Sequence, residues 1–403
     1  MFEKRKRQLG VGGAVITPLH KRYVMQVLRS GRLSYGPFLK AFEAKFAELH
    51  NRRFAISANS GTSALQVALH ALKELDGWRD GDEVLVPAMT FIATSNVVIQ
   101  NRLKPVFVDI DPRTYHIDPK DIEKRITPRT RAIMPVHLFG VSADMQAIKQ
   151  IAKRHKLRII EDACQTAAVS HRGEPVGSEG DIACFSTYIA HIVTTGVGGM
   201  ALTNDQGIAL KMRSLVNHGR DNIYISADDD KGLTGKKLTE VMSRRFNFVS
   251  VGYSYRLTEL EGALGLAEIK NISGNIAVRQ KNAKLLLALL KPYEKYLQLP
   301  WWPEHSGHAF MMFPIVVTTK RFTRDELARW LEERNVETRP FYSLLGQPVY
   351  RRLFGEYAAK RYPIADWTQK NGLFVGCHVE LKSKDIKYIG NVFKEFFKGK
   401  KLQ

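Results

Sequence analysis

Between residues 53 and 162 the chain alternates short apolar runs with longer stretches of helical periodicity. The runs Arg53–Ser57, Glu83–Pro87, Lys104–Asp111, Ala132–Val136 and Arg158–Asp162 are of strand length and largely apolar, which predicts strands covered on both faces. Residues 64–75, 90–101 and 143–155 carry the spacing of helices. Strands joined in this way predict an α/β fold with a mainly parallel central sheet flanked by helices. In such sheets ligands gather beyond the carboxyl ends of the strands. Ser60-Gly61-Thr62, Phe91 and Asp162 lie at those ends.

On the amino-terminal side, residues 17–50 read as two helices around a turn at Ser34-Tyr35-Gly36-Pro37, with Phe38, Phe42, Phe46 and Leu49 as core positions. Beyond Asp162 comes a small, polar, glycine-rich stretch, residues 181–200, with His191 in its middle and Gly196, Gly198 and Gly199 at its end. Such glycines predict positive φ or a close approach of backbone to a ligand. A helix is predicted over 205–217 and a long loop over 225–246. Thr258 and Glu261 form a capping box that opens a helix running to about Leu290. Shorter elements follow: a strand at 309–317, a helix at 323–334, a turn at Arg339-Pro340-Phe341-Tyr342 and a closing helix at 383–397. The expected division is a large ligand-binding domain over residues 1–290, with a helical amino-terminal arm, and a smaller α+β domain over 291–403.

Composition changes this picture little. With 403 residues, 44% hydrophobic and 25% charged, the chain suits a globular protein of two domains. No run approaches eighteen apolar residues, so no membrane span is expected. The basic start, Lys4 to Arg7, has no apolar segment after it and does not read as a secretory signal. Three scattered cysteines, Cys164, Cys184 and Cys377, fit a reducing, cytoplasmic setting and exclude both a disulfide framework and a four-thiolate cluster. No metal site is expected. The formal charge of +21 is spread along the chain, which fits a solvated basic surface as well as attraction to an anionic partner. Neither zinc-finger spacing nor an aromatic RNA-binding signature accompanies it, so nucleic acid is not the expected partner.

Taken singly, the polar motifs have plain structural readings: Ser60-Gly61-Thr62 as a helix cap, Asp162 as the end of a strand, Phe91 as core. Taken in order they say more. Ser60-Gly61-Thr62, Thr90-Phe91-Ile92-Ala93-Thr94, Glu161-Asp162-Ala163-Cys164-Gln165, Ser186 five residues before His191, Thr195-Gly196-Val197-Gly198-Gly199 and Gly252-Tyr253-Ser254-Tyr255-Arg256 together resemble the DegT/DnrJ/EryC1/StrS family of sugar aminotransferases. The resemblance covers roughly residues 15 to 395 and implies the fold of the type I enzymes that use pyridoxal phosphate. It implies that Asp162 pairs with the pyridinium nitrogen, Phe91 stacks on the ring and Gln165 bonds near the ring hydroxyl. The amides of Gly61 and Thr62 and the hydroxyl of Ser186 would hold the phosphate. It also implies a homodimer with shared active sites. In the family an asparagine reaches the neighbouring subunit's phosphate, and Ser254, with a shorter side chain, stands at that position.

His191 is the main departure. The family has there the lysine that anchors the cofactor covalently, a bond that needs a primary amine and that imidazole cannot form. The nearest downstream lysine, Lys211, falls in the helix predicted over 205–217. The cofactor, pyridoxal or pyridoxamine 5'-phosphate, would therefore be held without a covalent bond, while histidine can still move a proton near neutral pH. The sugar 3-dehydratase branch of the family has the same exchange. The resemblance thus implies a dehydration of a keto-sugar, nucleotide-linked or otherwise anionic, with His191 as base. The cysteine count favours a glutamate-dependent route over one that uses an iron–sulfur cluster. Two readings stay beside it: a sugar aminotransferase working by an atypical route, and a silent homologue that binds cofactor or sugar nucleotide in a regulatory or scaffold role. Val197 for the family's glutamate, and the absence of a proline from residues 187–190, are further departures.

Overall fold

The computed structural model describes residues 5–221 and 230–402. All five apolar runs form strands: β1 (Phe54–Ala58), β2 (Glu83–Pro87), β3 (Lys104–Val108), β4 (Thr130–Ile133) and β5 (Arg158–Asp162). After a small hairpin, β6 (Ser170–His171) and β7 (Glu174–Pro175), the glycine-rich stretch supplies β8 (Ile182–Ser186) and β9 (Gly199–Thr203). The seven longer strands make one sheet in the order β1-β9-β8-β5-β4-β2-β3. Only β9 runs against the rest, antiparallel to both β1 and β8. The carboxyl ends of β1, β2, β5 and β8 therefore share one edge, and the residues singled out above leave the sheet there. Apolar side chains on both faces explain the parallel core: Val84, Leu85, Val86 and Ile133 are all fully buried.

Beyond residue 296 a four-stranded antiparallel sheet forms in the order β10 (Leu297–Gln298), β11 (Phe313–Val317), β13 (Gly372–Val375) and β12 (Thr338–Pro340). The closing helix Ser383–Gly399 covers it with Ile386, Ile389, Val392, Phe393 and Phe397. The helix Glu259–Leu290 joins the two parts. It starts at the predicted capping box, Thr258 N–H donating to Glu261 Oε2 at 3.0 Å. At 32 residues it extends about 48 Å. Its first half lies on the helices Pro18–Ser30 and Pro37–Leu49, and its last turns bring Ala283, Leu286 and Leu290 into the second core.

Three expectations change. Within the loop predicted over 225–246, residues 235–244 form a helix, Gly235–Arg244, whose apolar contribution to the core is Val241 alone; so thin a stripe gives little periodicity to read. Ion pairs of Arg244 with Asp221 and Glu240 support it instead. Residues 225–229 of that prediction lie outside the described residues. The turn expected at Arg339-Pro340 is strand β12, an edge position that tolerates proline because Pro340 has no N–H to give. The strand expected from 309 begins at Phe313, because Arg279 binds the Phe310 and Met311 carbonyls and Phe310 adopts a φ of 45°.

The interior carries several neutral histidines. His50, His116 and His308 are buried, and desolvation lowers their pKa values to about 4, 3 and 3. In the unfolded chain each takes a proton near pH 6.5. Their stabilising effect is therefore complete above pH 6.5 and lost as the pH falls from there towards 4. While all three differ in protonation, the slope is about 4 kcal/mol per pH unit. Urea unfolding at pH 7.0 and 5.5 should show a loss of several kcal/mol; equal midpoints would contradict the neutral burial.

Candidate active site

The turn after β1 is built to present backbone N–H groups. Ser60 caps the helix Gly61–Leu75, its Oγ accepting from Ser63 N–H at 3.0 Å, while the Ser63 hydroxyl donates to Asn59 Oδ1 at 2.6 Å. The N–H groups of Gly61 and Thr62 begin the helix and have no intrahelical acceptor. Glycine is required at 61 by close approach: a Cβ there would stand 2.7 Å from Ser186 Cβ and 2.8 Å from Cys164 Sγ. The ends of β1, β5 and β8 thus meet at one point, a cradle fit for an anion.

Asp162 closes the floor. It is buried at 4% exposure and accepts from the Thr94 hydroxyl at 2.8 Å and from Cys164 N–H at 3.2 Å. No ion-pair partner stands against it among the described residues, and desolvation raises its pKa above the ordinary carboxyl value. A buried carboxyl in that state calls for a cation in the cavity it faces. Gln165 accepts from Phe139 N–H at 3.1 Å and donates to the Tyr342 hydroxyl at 2.9 Å, so its amide is fixed from both sides. Phe91 sits at the start of the helix Ile92–Gln100. The residue is 54% exposed and its ring stands edge-on to Tyr342 with centroids 6.0 Å apart, so the aromatic side chain faces the cavity and is not packed in the core.

His191 lies on the loop between β8 and β9. Its Nδ1 bonds to the Cys164 carbonyl oxygen, which only accepts, so the ring carries its proton on Nδ1. Nε2 keeps its lone pair and has no protein partner among the described residues. The imidazole is half-buried; desolvation first, and the Arg279 charge in addition, lower its pKa to about 4. It stands ready as an unprotonated base at neutral pH.

These groups line one cavity of about 1530 Å³. Gly61, Thr62, Phe91, Asp162, Gln165, Ser186 and His191 all contribute to its wall. Ser254 does not; it is exposed on the surface, its hydroxyl accepting from Arg256 Nη2 at 3.1 Å. Lys211 is also outside, paired with Glu74 at 2.9 Å. Gly196, Gly198 and Gly199 of the 181–200 stretch do not line the cavity. Gly196 has a φ of 91° in the loop, and a Cβ on Gly199 would stand 2.3 Å from the Ser60 carbonyl oxygen, so that glycine serves protein packing and not a ligand. Several wall residues carry no motif that sequence reasoning could use. Tyr342, Met311 and Met312 come from the second part of the chain, and Val11 to Ala14 from the amino-terminal arm. For the arm the run Gly10-Val11-Gly12-Gly13 was a usable signal: a Cβ on Gly12 would stand 2.9 Å from Ala190 Cβ.

Comparison with known proteins agrees with this fold. GDP-perosamine synthase of Caulobacter vibrioides is 36% identical over 375 residues, covering 90% of this chain and 91% of that protein. The Escherichia coli GDP-4-keto-6-deoxy-D-mannose-3-dehydratase, solved with bound hydrated PLP, superposes with a TM-score of 0.86 at 26% identity and covers 96% of this chain and 100% of its own. An aminotransferase from Psychrobacter cryohalolentis superposes equally well, with a TM-score of 0.86 at 29% identity over 96% and 98% of the two chains. Both the fold and residues 15–394 of the sequence match, and the chain belongs to the DegT/DnrJ/EryC1/StrS aminotransferase family.

Proposed function

We propose that the cavity holds pyridoxal or pyridoxamine 5'-phosphate without a covalent bond, and that the protein removes the 3-hydroxyl from a nucleotide-linked 4-keto sugar with His191 as the base. The observation that carries this reading is the pair of groups facing one cavity: a buried carboxyl without an ion-pair partner among the described residues, Asp162, and a neutral imidazole anchored through Nδ1. The sequence resemblance implies that this imidazole takes the position of the family's lysine. Bound there, the cofactor's pyridine ring supplies an electron sink next to its amine-bearing carbon. The residues fit it. Asp162 would meet the ring nitrogen, Gly61 and Thr62 N–H with the Ser186 hydroxyl would take the phosphate, and Phe91 offers an open ring face. Nε2 of His191 takes up a proton and returns it, while the Cys164 carbonyl keeps the ring's orientation.

The cavity's lysines, Lys360 and Lys370, come from the second part of the chain. Lys360 lies over the Tyr357 ring and Lys370 pairs with Asp366, so neither replaces the missing anchor. The bound hydrated PLP of the E. coli dehydratase supports a non-covalent cofactor. The working unit in this reading is a homodimer, since Ser254 is exposed outside its own cavity and its part in a cofactor site belongs to a second copy.

Transamination is the second reading, favoured by the 36% identity to GDP-perosamine synthase. One sequence of assays separates the two. Pyridoxal phosphate is added to the purified protein, then glutamate, and the loss of the aldehyde absorbance is followed. The amine form is then incubated with GDP-linked and other nucleotide-linked 4-keto sugars, and the products are weighed by mass spectrometry. A keto product lighter by one oxygen atom, its 3-hydroxyl replaced by hydrogen while ammonia is released and the cofactor returns to the aldehyde, is expected; a product that has exchanged its keto oxygen for an amino group would establish the transaminase instead. The acid limb of kcat/KM should also lie low. His191 is deprotonated above about pH 4, so activity holds from neutral pH to about 5, is halved at about pH 4 and approaches a tenfold fall per unit below that. A limb at pH 6.5, in initial rates on protein shown by fluorescence to be folded, would contradict the desolvated imidazole.

A further inference from the structure

Arg279, on the helix Glu259–Leu290, is the most costly buried group that the mechanism leaves unused. It is 2% exposed and has no carboxylate within ion-pair distance among the described residues. Its Nη1 donates to the carbonyls of Phe310 at 3.3 Å and Met311 at 3.1 Å, its Nη2 to the carbonyl of His191 at 3.3 Å, and its Nε has no partner. Its hydrogen-bond acceptors are all neutral carbonyls, and desolvation lowers the Arg279 pKa by outweighing the Glu268 charge that favours the guanidinium, so the buried charge is costly to keep. The three acceptors belong to two segments of the cavity wall. One carries the imidazole. The other contains Met311, which lines the cavity, and Phe310, held at a φ of 45° that a phenylalanine adopts only when its surroundings impose it.

The same helix grips the loop a second time. Glu268 accepts from the Thr194 backbone N–H and, at 2.9 Å, from His20 Nε2 of the amino-terminal helix. A guanidinium thus holds the carbonyl at one end of residues 191–194 and a carboxyl oxygen holds the N–H at the other. Both come from one rigid element.

We propose that Arg279 is a positioning residue for His191: its guanidinium locks the backbone of the His191 loop and the Phe310–Met311 turn into one arrangement that aims the imidazole into the cavity. The proposal rests on the reading of His191 as base, and extends it to a group that touches neither substrate nor cofactor. Besides Arg279, the groups that face the imidazole are Cys164 after β5 and Tyr188 on its own loop, with ring centroids 6.2 Å apart for the latter.

The test uses the full-length protein labelled with ¹⁵N-histidine, with the His191 signals identified by their loss in His191→Asn. The unaltered protein should show one neutral tautomer, protonated on Nδ1, that titrates well below pH 5.5. In Arg279→Met the two tautomers should mix and the titration should move up by more than one pH unit. The same variant should lower kcat at least tenfold, with cofactor Kd and substrate KM within threefold. Arg279→Lys keeps the charge, but its compact ammonium cannot serve three carbonyls at once, so tautomer mixing with a smaller titration shift is expected. It also provides the measurement if the Met variant fails to fold. A folded variant of either kind with the unaltered tautomer and titration overturns the positioning role, even if turnover is lost. Altered spectra with unaltered turnover would leave the positioning standing and overturn His191 as the base.

Discussion

Replacing His191 by asparagine should reduce turnover by a factor of 10² to 10⁴, the range that a positioned general base contributes, and leave cofactor affinity within about threefold. The asparagine amide can still donate to the Cys164 carbonyl, the bond that Nδ1 makes, so the loop keeps its anchor. What the variant lacks is the second ring nitrogen. An amide has no lone pair basic enough to take a proton from carbon near pH 7, so the step assigned to Nε2 has no carrier. Binding should survive because the groups that hold the cofactor stand on other elements: Gly61 and Thr62 after β1, Asp162 on β5 and Ser186 on β8. Affinity is read from the absorbance titration with pyridoxamine phosphate, turnover from a single-turnover assay with the substrate that the mass analysis identifies. Equal rates for the two proteins would assign the proton to another group, with Tyr342 the first to examine since it lines the same cavity. Loss of binding together with turnover would mean that the imidazole supports the cofactor itself.

Much of this site could be read in the sequence because its parts are backbone-directed. A strand end followed by Ser60-Gly61-Thr62 has few conformations, and the apolar runs that precede each site residue also fix the sheet that brings them together. Asp162, Gln165 and Phe91 needed the order of motifs as well as their identity, since each alone has a bland reading. What stayed hidden were contacts between distant segments. Tyr342 reaches Gln165 across 177 positions, and no periodicity announces such a pair. The strand at Thr338–Pro340 was hidden by its proline, which signals a turn unless the residue is known to lie on a sheet edge. Arg279 sits inside an ordinary helical pattern, and only the carbonyls around it give it a part in the site. The glycines of 196–199 were informative for the wrong reason: they accommodate the Ser60 turn and a left-handed loop, one step behind the cavity.

Adjacent residues of one motif can also do separate work. Changing Glu161 to alanine should destabilise the fold by about 3–5 kcal/mol, the cost of leaving a buried charge network without one partner. Glu161 is fully buried beside Asp162, but successive side chains of a strand point to opposite faces, so the two carboxyls serve different sides of the sheet. Its oxygens accept from Gly177, Glu179 and Gly180 N–H at 3.1, 2.9 and 2.6 Å, from His137 Nε2 at 2.9 Å and from Arg52 Nη2 at 3.4 Å. Desolvation alone would raise its pKa; the His137 bond and charge, the Gly180 N–H and Arg52 outweigh it and hold the carboxyl below its ordinary value. Alanine would strand Arg52 and the loop 177–180, a loss comparable with a third or more of a typical domain's 5–15 kcal/mol. Glutamine should cost less, since one oxygen still accepts while the other position turns donor towards N–H groups. Urea denaturation at pH 7 measures both. A change under 1 kcal/mol for Glu161→Ala would show that water replaces the carboxylate and that the network is not closed. With the expected loss, cofactor affinity should fall as well, because the Asp162 carbonyl accepts from His137 N–H at 3.0 Å and shares the strand that Glu161 secures. Asp162→Asn, by contrast, should weaken the cofactor and leave the urea midpoint nearly unmoved, so binding depends on both neighbours and stability on Glu161 alone.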